Sequence, residues 1–237
     1  MSDRETTIDA QVTILAAGLG TRLGRPLPKP LTVLADGRTI IGQQLDNIRT
    51  ALGTDAQILV VVGFKLEQIM EAVPDVTFAY NESYDQTNTS KSLLRALQVT
   101  GDRGVLWMNG DVVFDPEVLE RVSGLIEQER SFVCVNTAAV GDEEVKYTVD
   151  DSGSIQLLSK TVEDGLGEAV GINYISAADK PRLIELLDKV DDQDYFERGI
   201  ELAIERYGLR VTPVDISDLF AVEVDFESDL SRVNEHL

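Results

Sequence analysis

The chain has 237 residues, within the range of one large α/β domain and ample for a sizeable core. Forty-two acidic residues against 21 Lys and Arg give a net charge of -21, which repels polyanions unless the few cations are concentrated, so nucleic acid is not an expected partner. No stretch approaches the roughly 18 consecutive apolar residues of a membrane span, and residues 1–10 are polar and acidic, unlike a signal peptide; a cytoplasmic protein with no membrane attachment is expected.

From the N-terminus, "VTILAAG" (12–18) is a β-branched run ending in glycine. Ile41, Leu45, Ile48 and Leu52 then form a helical stripe closed by Gly53. "QILVVVG" (57–63) reads as a fully buried strand, "KLEQIMEAV" (65–73) as a helix stopped by Pro74, and "VTFAYN" (76–81) as another strand. A helix follows near Ser90–Val99, then a strand at "GVLWMNG" (104–110) and a helix opened by Asp115 as N-cap with Pro116 first. This βαβ rhythm predicts a doubly wound, mostly parallel sheet. "SFVCVNTA" (131–138) adds a strand holding the single cysteine, Cys134, which has no internal disulfide partner and is expected as a buried thiol. "EVKYTVDDSGSIQLLS" (144–159) alternates around a "DDSG" turn and predicts a β-hairpin, a small lobe at about 140–165 within one domain spanning 1–237. Helices at about 177–190 and 193–206 and the runs "LRVTPVDI" and "FAVEVDF" complete the chain. The one histidine, His236, lies at the end that tends to fray, so chemistry needing a His base or a His-rich zinc site is not expected.

The loop "LAAGLGTRLGRPLPKPL" (15–31) carries the main functional signal. Its glycines, Gly18, Gly20 and Gly24, miss the dinucleotide fingerprint, and no Gly-Lys-Ser/Thr ends a P-loop. Pro26, Pro28 and Pro30 bar a helix from starting there, which leaves an extended loop wrapped around something. Glycine after a strand lets backbone N–H groups approach phosphate oxygens. Between Leu15 and Arg38 stand four cations (Arg22, Arg25, Lys29, Arg38) and one acid (Asp36), a local +3 within a chain of -21.

"LAAGLGTRLG…LPKPL" resembles the signature of nucleotidyltransferases with a GT-A-like, Rossmann-type fold, which join an NTP to a phosphorylated small molecule and release pyrophosphate. The Arg22–Lys29 interval of seven residues is similar to that of inositol-phosphate and erythritol-phosphate cytidylyltransferases. "YNESYDQTNTSKSLLRAL" (80–97) resembles a stretch of phosphocholine cytidylyltransferases, with Asn88 and Ser92 in the Asn and Ser places. With "NGDVVFD", "EAVGINYIS" and "FAVEVDFESDL", the resemblance covers almost the whole chain and implies an α/β fold with a mixed, mostly parallel sheet.

Asp111 follows an apolar strand, at the strand end where open α/β sheets bind ligands. Glu223 and Asp225 are two residues apart on a strand-like run and so share a face. Hard oxygen ligands with no His or Cys point to Mg²⁺ held between carboxylates and phosphates; the resemblance implies Asp111 and Asp225 as ligands, with Glu223 as a third candidate. An already ionised phosphate or phosphonate nucleophile needs no general base, but two anions must meet in line at the α-phosphorus. Arg22 and Lys29 are the expected cradle for the triphosphate, Lys160 is implied near the acceptor phosphate, and Arg25 is a rim charge. The resemblance also implies base contacts from the backbone of Leu15, Ala16, Ala17 and Gly18, and Gly20 and Thr21 are expected at the nucleotide as well; Asn88 and Ser92 either read a pyrimidine edge through amide and hydroxyl groups or simply open the helix that follows.

The acceptor side is assigned to Tyr84, Lys160, Glu168 and Tyr174. A quaternary ammonium wants an aromatic cage, and "TSKS" (89–92) after Asn88 has no aromatic residue. Lys91 and Glu168 suit a polyol phosphate, an aminoalkyl phosphonate or a sugar 1-phosphate instead. The expected function is Mg²⁺-dependent transfer of a cytidylyl group from CTP to a small phosphorylated alcohol or phosphonate. The alternatives are a sugar-1-phosphate nucleotidyltransferase using UTP or another NTP, a non-catalytic nucleotide-binding subunit, and a GT-A glycosyltransferase, against which Asn109 stands where an Asp-x-Asp motif has its first acid. A homo-oligomer stays open.

Overall fold

A computed structural model of the chain describes residues 11–138, 140, 141 and 144–237; the polar stretch 1–10 lies outside the described residues. The strands are β1 (Gln11–Ala16), β2 (Ile58–Val62), β3 (Thr77–Tyr80), β4 (Val105–Asn109), β5 (Val112–Phe114), β6 (Phe132–Asn136), β7 (Lys146–Val149), β8 (Ile155–Ser159), β9 (Glu168–Ile175), β10 (Thr212–Asp215) and β11 (Ala221–Glu223). The helices are α1 (Ile40–Leu52), α2 (Leu66–Ala72), α3 (Thr89–Val99), α4 (Glu117–Glu127), α5 (Lys180–Lys189), α6 (Phe196–Tyr207) and α7 (Glu227–His236).

The main sheet runs β3-β2-β1-β4-β9-β6-β10. Along that path β9 alone is antiparallel to its neighbours, which makes the sheet mixed but mostly parallel, as expected. Helices cover both faces. On β1, Val12, Ile14 and Ala16 point into one apolar layer with α1, α2 and α4, while Leu15, and Ala17 just past the strand, point into the other with α3, α5 and α6. This is the period of two seen against helices on either side. The Ile41, Leu45, Ile48 and Leu52 stripe of α1 is buried as its spacing predicts, with Thr39 Oγ1 accepting from Gly42 N at 3.1 Å as the N-cap.

The β7–β8 hairpin forms, and its Tyr147, Ile155 and Leu158 join the same apolar layer as Trp107, so it is packed into the main core. β5 and β11 make a separate two-stranded antiparallel ribbon, under which Leu23, Leu34, Val113, Val222, Leu230 and Val233 form a third cluster. Cys134 is buried, and burial pushes its thiol far above the ordinary range, consistent with an inert packing residue.

Two terminal expectations are corrected. Asp115 does not cap α4, whose N-cap is Pro116; its carboxylate accepts from Phe220 N at 3.1 Å and meets His236 Nε2 at 2.9 Å. His236 stacks on Phe220 with ring centroids 3.8 Å apart, so the last helix is fastened to the ribbon. Among the described residues no helix is long and apolar enough to cross a membrane.

Candidate active site

The loop after β1 is shaped by left-handed glycines. Gly20 and Gly24 have φ of +60° and +65° and flank a single 3₁₀ turn at Thr21–Leu23; a second such turn spans Lys29–Leu31. A Cβ on Gly20 would stand 3.0 Å from Lys29 Cβ, so glycine lets the loop fold back on itself. Leu23 anchors it in the third apolar cluster, and the Lys65 ammonium donates to the Pro26 carbonyl. Arg22 and Lys29 are thereby aimed at one place.

That place is built from distant parts of the chain. Gly110 N donates to Leu15 O at 2.9 Å, an approach so close that a Cβ on Gly110 would lie 2.7 Å from the same oxygen. The turn after β4 is held from below by Gln44 of α1, whose Nε2 donates at 2.8 Å to both Asn109 O and Val112 O. Gln43 and Asn47 fasten Phe114 O in the same way, at 2.6 and 2.7 Å. Pairing of Glu223 with Val112, and the bond from Val224 N to Asp111 O at 2.9 Å, then bring Asp225 beside Asp111.

The charges there form one network. Lys29 Nζ lies 2.8 Å from Asp111 Oδ2 and 2.5 Å from Asp225 Oδ1, and Arg22 Nη1 lies 2.6 Å from Asp225 Oδ2. Burial pulls the Lys29 pKa down, but the charges and hydrogen bonds of Asp111 and Asp225 outweigh it and leave it raised. Burial raises Asp225, but Lys29 and Arg22 prevail and hold it below the usual carboxylate range. Glu223, partly exposed beside them, is pushed up by burial and by the Asp111 charge, partly offset by Asn109 Nδ2, which donates to its Oε1 at 2.9 Å. Gly171 of β9, with φ of +69°, leaves room for this pair; a Cβ would fall 2.5 Å from Glu223 Oε1.

These groups open onto a cleft of about 590 Å³, within the usual range for small-molecule sites. Leu15, Ala16, Gly18, Gly20, Thr21, Arg22, Lys29 and Asn88 line it, as do Asp111, Glu223, Asp225, Tyr84 and Lys160. Asn88 also caps α3, its Oδ1 accepting from Thr89 N at 2.8 Å.

Four expected site residues are placed elsewhere. Ala17 is buried, its carbonyl accepting from Phe64 N at 3.0 Å. Ser92 is buried against Asn81, whose Nδ2 donates to its Oγ at 3.1 Å. Tyr174 belongs to the core at the opposite end of the sheet: it is 1% exposed, stacks on Phe132, and donates its hydroxyl to Glu129 Oε1 at 2.9 Å. Glu168 faces an adjoining groove of about 330 Å³, where its Oε2 accepts from Gly141 N at 3.0 Å; Glu144, Glu223 and Asp225 line both spaces.

Three cations of the pattern are also spent elsewhere. Lys91 Nζ caps the end of α5 through Leu187 O and Val190 O at 3.0 and 2.7 Å, Arg25 grips Glu227, and Arg38 pairs with Asp36. The positive charge of the loop therefore reaches the cleft through Arg22 and Lys29.

Sequence reasoning passed over Glu144 and Glu197, and it weighed Asn109 only against a glycosyltransferase, not as the donor to Glu223. Glu197 sits in the first turn of α6, where an acid reads as a solvated residue favoured by the helix dipole. It is instead 7% exposed, lines the cleft, and has an Oε2 with no hydrogen-bond partner among the described residues.

Residues 12–185 match the family model described as MobA-like NTP transferase domain. Among curated proteins, CMP-5'-(3-aminopropyl)phosphonate synthase of Streptomyces rubellomurinus is 28% identical over 94% of this chain and 38% of its own length. The bifunctional protein GlmU of Caldicellulosiruptor saccharolyticus is 29% identical over 94% of this chain and 49% of its own length. The chain thus spans less than half of either relative. Among solved structures, the inositol-1-phosphate CTP transferase from T. maritima superposes with a TM-score of 0.77 at 16% identity, covering 95% of this chain and 93% of that one. CTP:phosphocholine cytidylyltransferase from Streptococcus pneumoniae superposes with a TM-score of 0.72 at 19% identity, covering 96% and 98%. At such identities the likeness is one of fold. The family match over most of the chain and this shared architecture agree with the resemblance carried by the β1 loop, and the chain belongs to the MobA-like NTP transferase domain family.

Proposed function

We propose that the protein is a cytidylyltransferase that moves CMP from CTP to a small acceptor bearing a phosphate or phosphonate. The observation that supports this most is the convergence of Arg22 and Lys29 with Asp111 and Asp225 at the mouth of one cleft. An acceptor oxygen, already ionised, attacks the α-phosphorus of CTP; the bond from that phosphorus to the bridging oxygen of the β-phosphate breaks, and pyrophosphate leaves with the electron pair. No proton need be removed, which suits a cleft lined by no histidine among the described residues. Arg22 and Lys29 bind the triphosphate oxygens and offset the charge that builds on the leaving group.

The donor set suits Mg²⁺. Asp111 and Asp225 are hard oxygen donors close enough to share one ammonium, and each is 23% exposed toward the cleft, where phosphate oxygens would complete a coordination shell. When bound, Mg²⁺ would supply charge neutralisation across the phosphates. On nucleotide entry Lys29 exchanges its carboxylate partners for phosphate oxygens. The backbone of Leu15, Ala16 and Gly18 and the side chain of Asn88 face the base and ribose in this reading. CTP is favoured by the relative whose product is a CMP-phosphonate.

The experiment is pyrophosphate release in the presence of Mg²⁺, crossing the four NTPs with phosphocholine, inositol 1-phosphate, aminoethylphosphonate, glycerol 3-phosphate and glucose 1-phosphate. Release that requires CTP and a non-sugar acceptor is the expected result. Release only with another NTP and the sugar phosphate would replace this reading by sugar-nucleotide synthesis.

A further inference from the structure

The cleft as a whole carries more acids than cations. Among the described residues its lining holds Asp85, Asp111, Glu144, Glu197, Glu223 and Asp225 against Arg22, Lys29 and Lys160. Lys29 and Arg22 are committed to Asp111 and Asp225, which leaves Asp85, Glu144, Glu197 and Glu223 in the lining with Lys160; burial raises the carboxyls of Glu144, Glu197 and Glu223, so an entering cation would favour their charged forms. An acceptor that brings only a phosphate or phosphonate would enter against that field. One that also carries a cation would be drawn into it.

A specific partner for that cation is present. Glu197 Oε2 is buried and has no hydrogen-bond donor among the described residues, although its residue lines the cleft. A buried carboxylate oxygen left without a donor is costly, so the site is complete only when something supplies one. The adjacent Tyr195 ring presents its face to a cation: Lys160 Nζ lies 4.7 Å from its centroid, and the Lys160 charge also reaches Glu197. Lys160 thus marks where an ammonium is attracted, while its length leaves it able to turn toward an acceptor phosphorus group.

We propose that the acceptor is a zwitterionic aminoalkyl phosphonate or phosphate, and that Glu197 is the specificity residue that accepts a hydrogen bond from its primary ammonium beside Tyr195. The inference rests on the nucleotidyl-transfer reading and concerns the same cleft. A primary ammonium carries N–H donors for Glu197 Oε2; a trimethylammonium carries none. Burial raises the Glu197 carboxyl to about 7, offset in part by its own backbone N–H and by Lys160, so a cation can draw it fully into the charged form near neutral pH.

The test measures kcat/KM by pyrophosphate release with CTP for matched pairs: 2-aminoethylphosphonate against ethylphosphonate, and phosphoethanolamine against monoethyl phosphate. The two pairs distinguish a phosphonate from a phosphate acceptor. The wild-type protein should favour the amino member of at least one pair by ~30-fold or more, and Glu197→Gln should shrink that ratio to within ~3-fold with the KM for CTP unchanged. Phosphocholine should be a poorer acceptor than phosphoethanolamine in the wild type, a comparison that needs no variant to fold. Ratios near one in the wild type, a ratio unchanged in a folded Glu197→Gln protein, or phosphocholine equal to phosphoethanolamine would each overturn the inference. CTP-dependent release that prefers inositol 1-phosphate or glycerol 3-phosphate would overturn it while leaving cytidylyl transfer standing. Absence of release with every NTP and acceptor would instead remove the reading on which it rests, and the inference with it.

Discussion

Lys29 Nζ stands 2.5 Å from Asp225 Oδ1, a contact across 196 residues of sequence, and 2.8 Å from Asp111 Oδ2 on a third segment. One ammonium thus ties the β1 loop, the turn after β4 and the end of the β11 ribbon together before any nucleotide is bound. Its removal should separate catalysis from folding. Lys29→Ala is expected to lower kcat/KM by ~10²–10³, the usual cost of losing one preorganised donor at a developing charge. The two carboxylates remain open to water, so the melting temperature should move by only a few degrees. Near-normal turnover in this variant would sink the proposed mechanism.

Gln44 is expected to act through Asp111. Gln44→Leu leaves Asn109 O and Val112 O without their side-chain donor, which should cost ~2–4 kcal/mol of stability. It should also raise the Mg²⁺ concentration that gives half-maximal turnover, because the turn that aims Asp111 is loosened. Destabilisation with an unchanged Mg²⁺ response would make Gln44 a packing residue alone.

Tyr174→Phe distinguishes a core residue from an acceptor ligand. Loss of the hydroxyl bond to Glu129 Oε1 should cost ~1 kcal/mol and lower the melting temperature by ~2–4 °C. The KM for the acceptor should stay within ~2-fold, since Tyr174 is at the opposite end of the sheet from the cleft. A large rise in acceptor KM would return Tyr174 to the site.

The contrast between Lys29 and Tyr174 explains what was legible in the sequence. Most strands, helices α1 to α6 and the hairpin follow from periodicity and glycine or proline punctuation, which are local, whereas β5, β9 and α7 were not read as elements. Arg22, Lys29, Asp111 and Asp225 stood out because a Gly/Pro loop with clustered cations and an acid after a buried strand have few purely structural uses. Tyr174 and Ser92 were misplaced because alternation along a strand or turn along a helix gives a side chain's direction only once its neighbours are known. Ser92 is turned toward Asn81, and Tyr174 sits at the end of β9 away from Asp111 and Asp225. Glu197 was invisible for the opposite reason: an acid in a helix's first turn is ordinary, and only the packing of α6 against the cleft makes it buried.

Glu197 should leave a signature in the pH dependence of stability. Its folded-state value of about 7 stands above the ordinary 4.5, so the native protein holds a proton that the unfolded chain releases earlier. Ionisation therefore weakens the fold as pH rises from about 4.5 toward 7, and the penalty levels off above that. At ~1.4 kcal/mol per pH unit, the full effect is on the order of 3 kcal/mol. Lys160, which favours the charged form, and Glu223 on the neighbouring ribbon are the charged groups whose fields act with it. Glu197→Gln lacks the titration, so its melting temperature should gain on the wild type between pH 5 and about 7 and run parallel to it above about 8. An aminoalkyl acceptor selects the ionised carboxylate, so the preference for 2-aminoethylphosphonate over ethylphosphonate, each rate referred to the dianion concentration of its own phosphonate because the ammonium lowers that ionisation, should widen across the same interval. Melting curves of the two proteins that stay parallel from pH 5 to 8 would mean that Glu197 titrates as an ordinary surface acid, and the cleft would then have no buried carboxylate waiting for a cation.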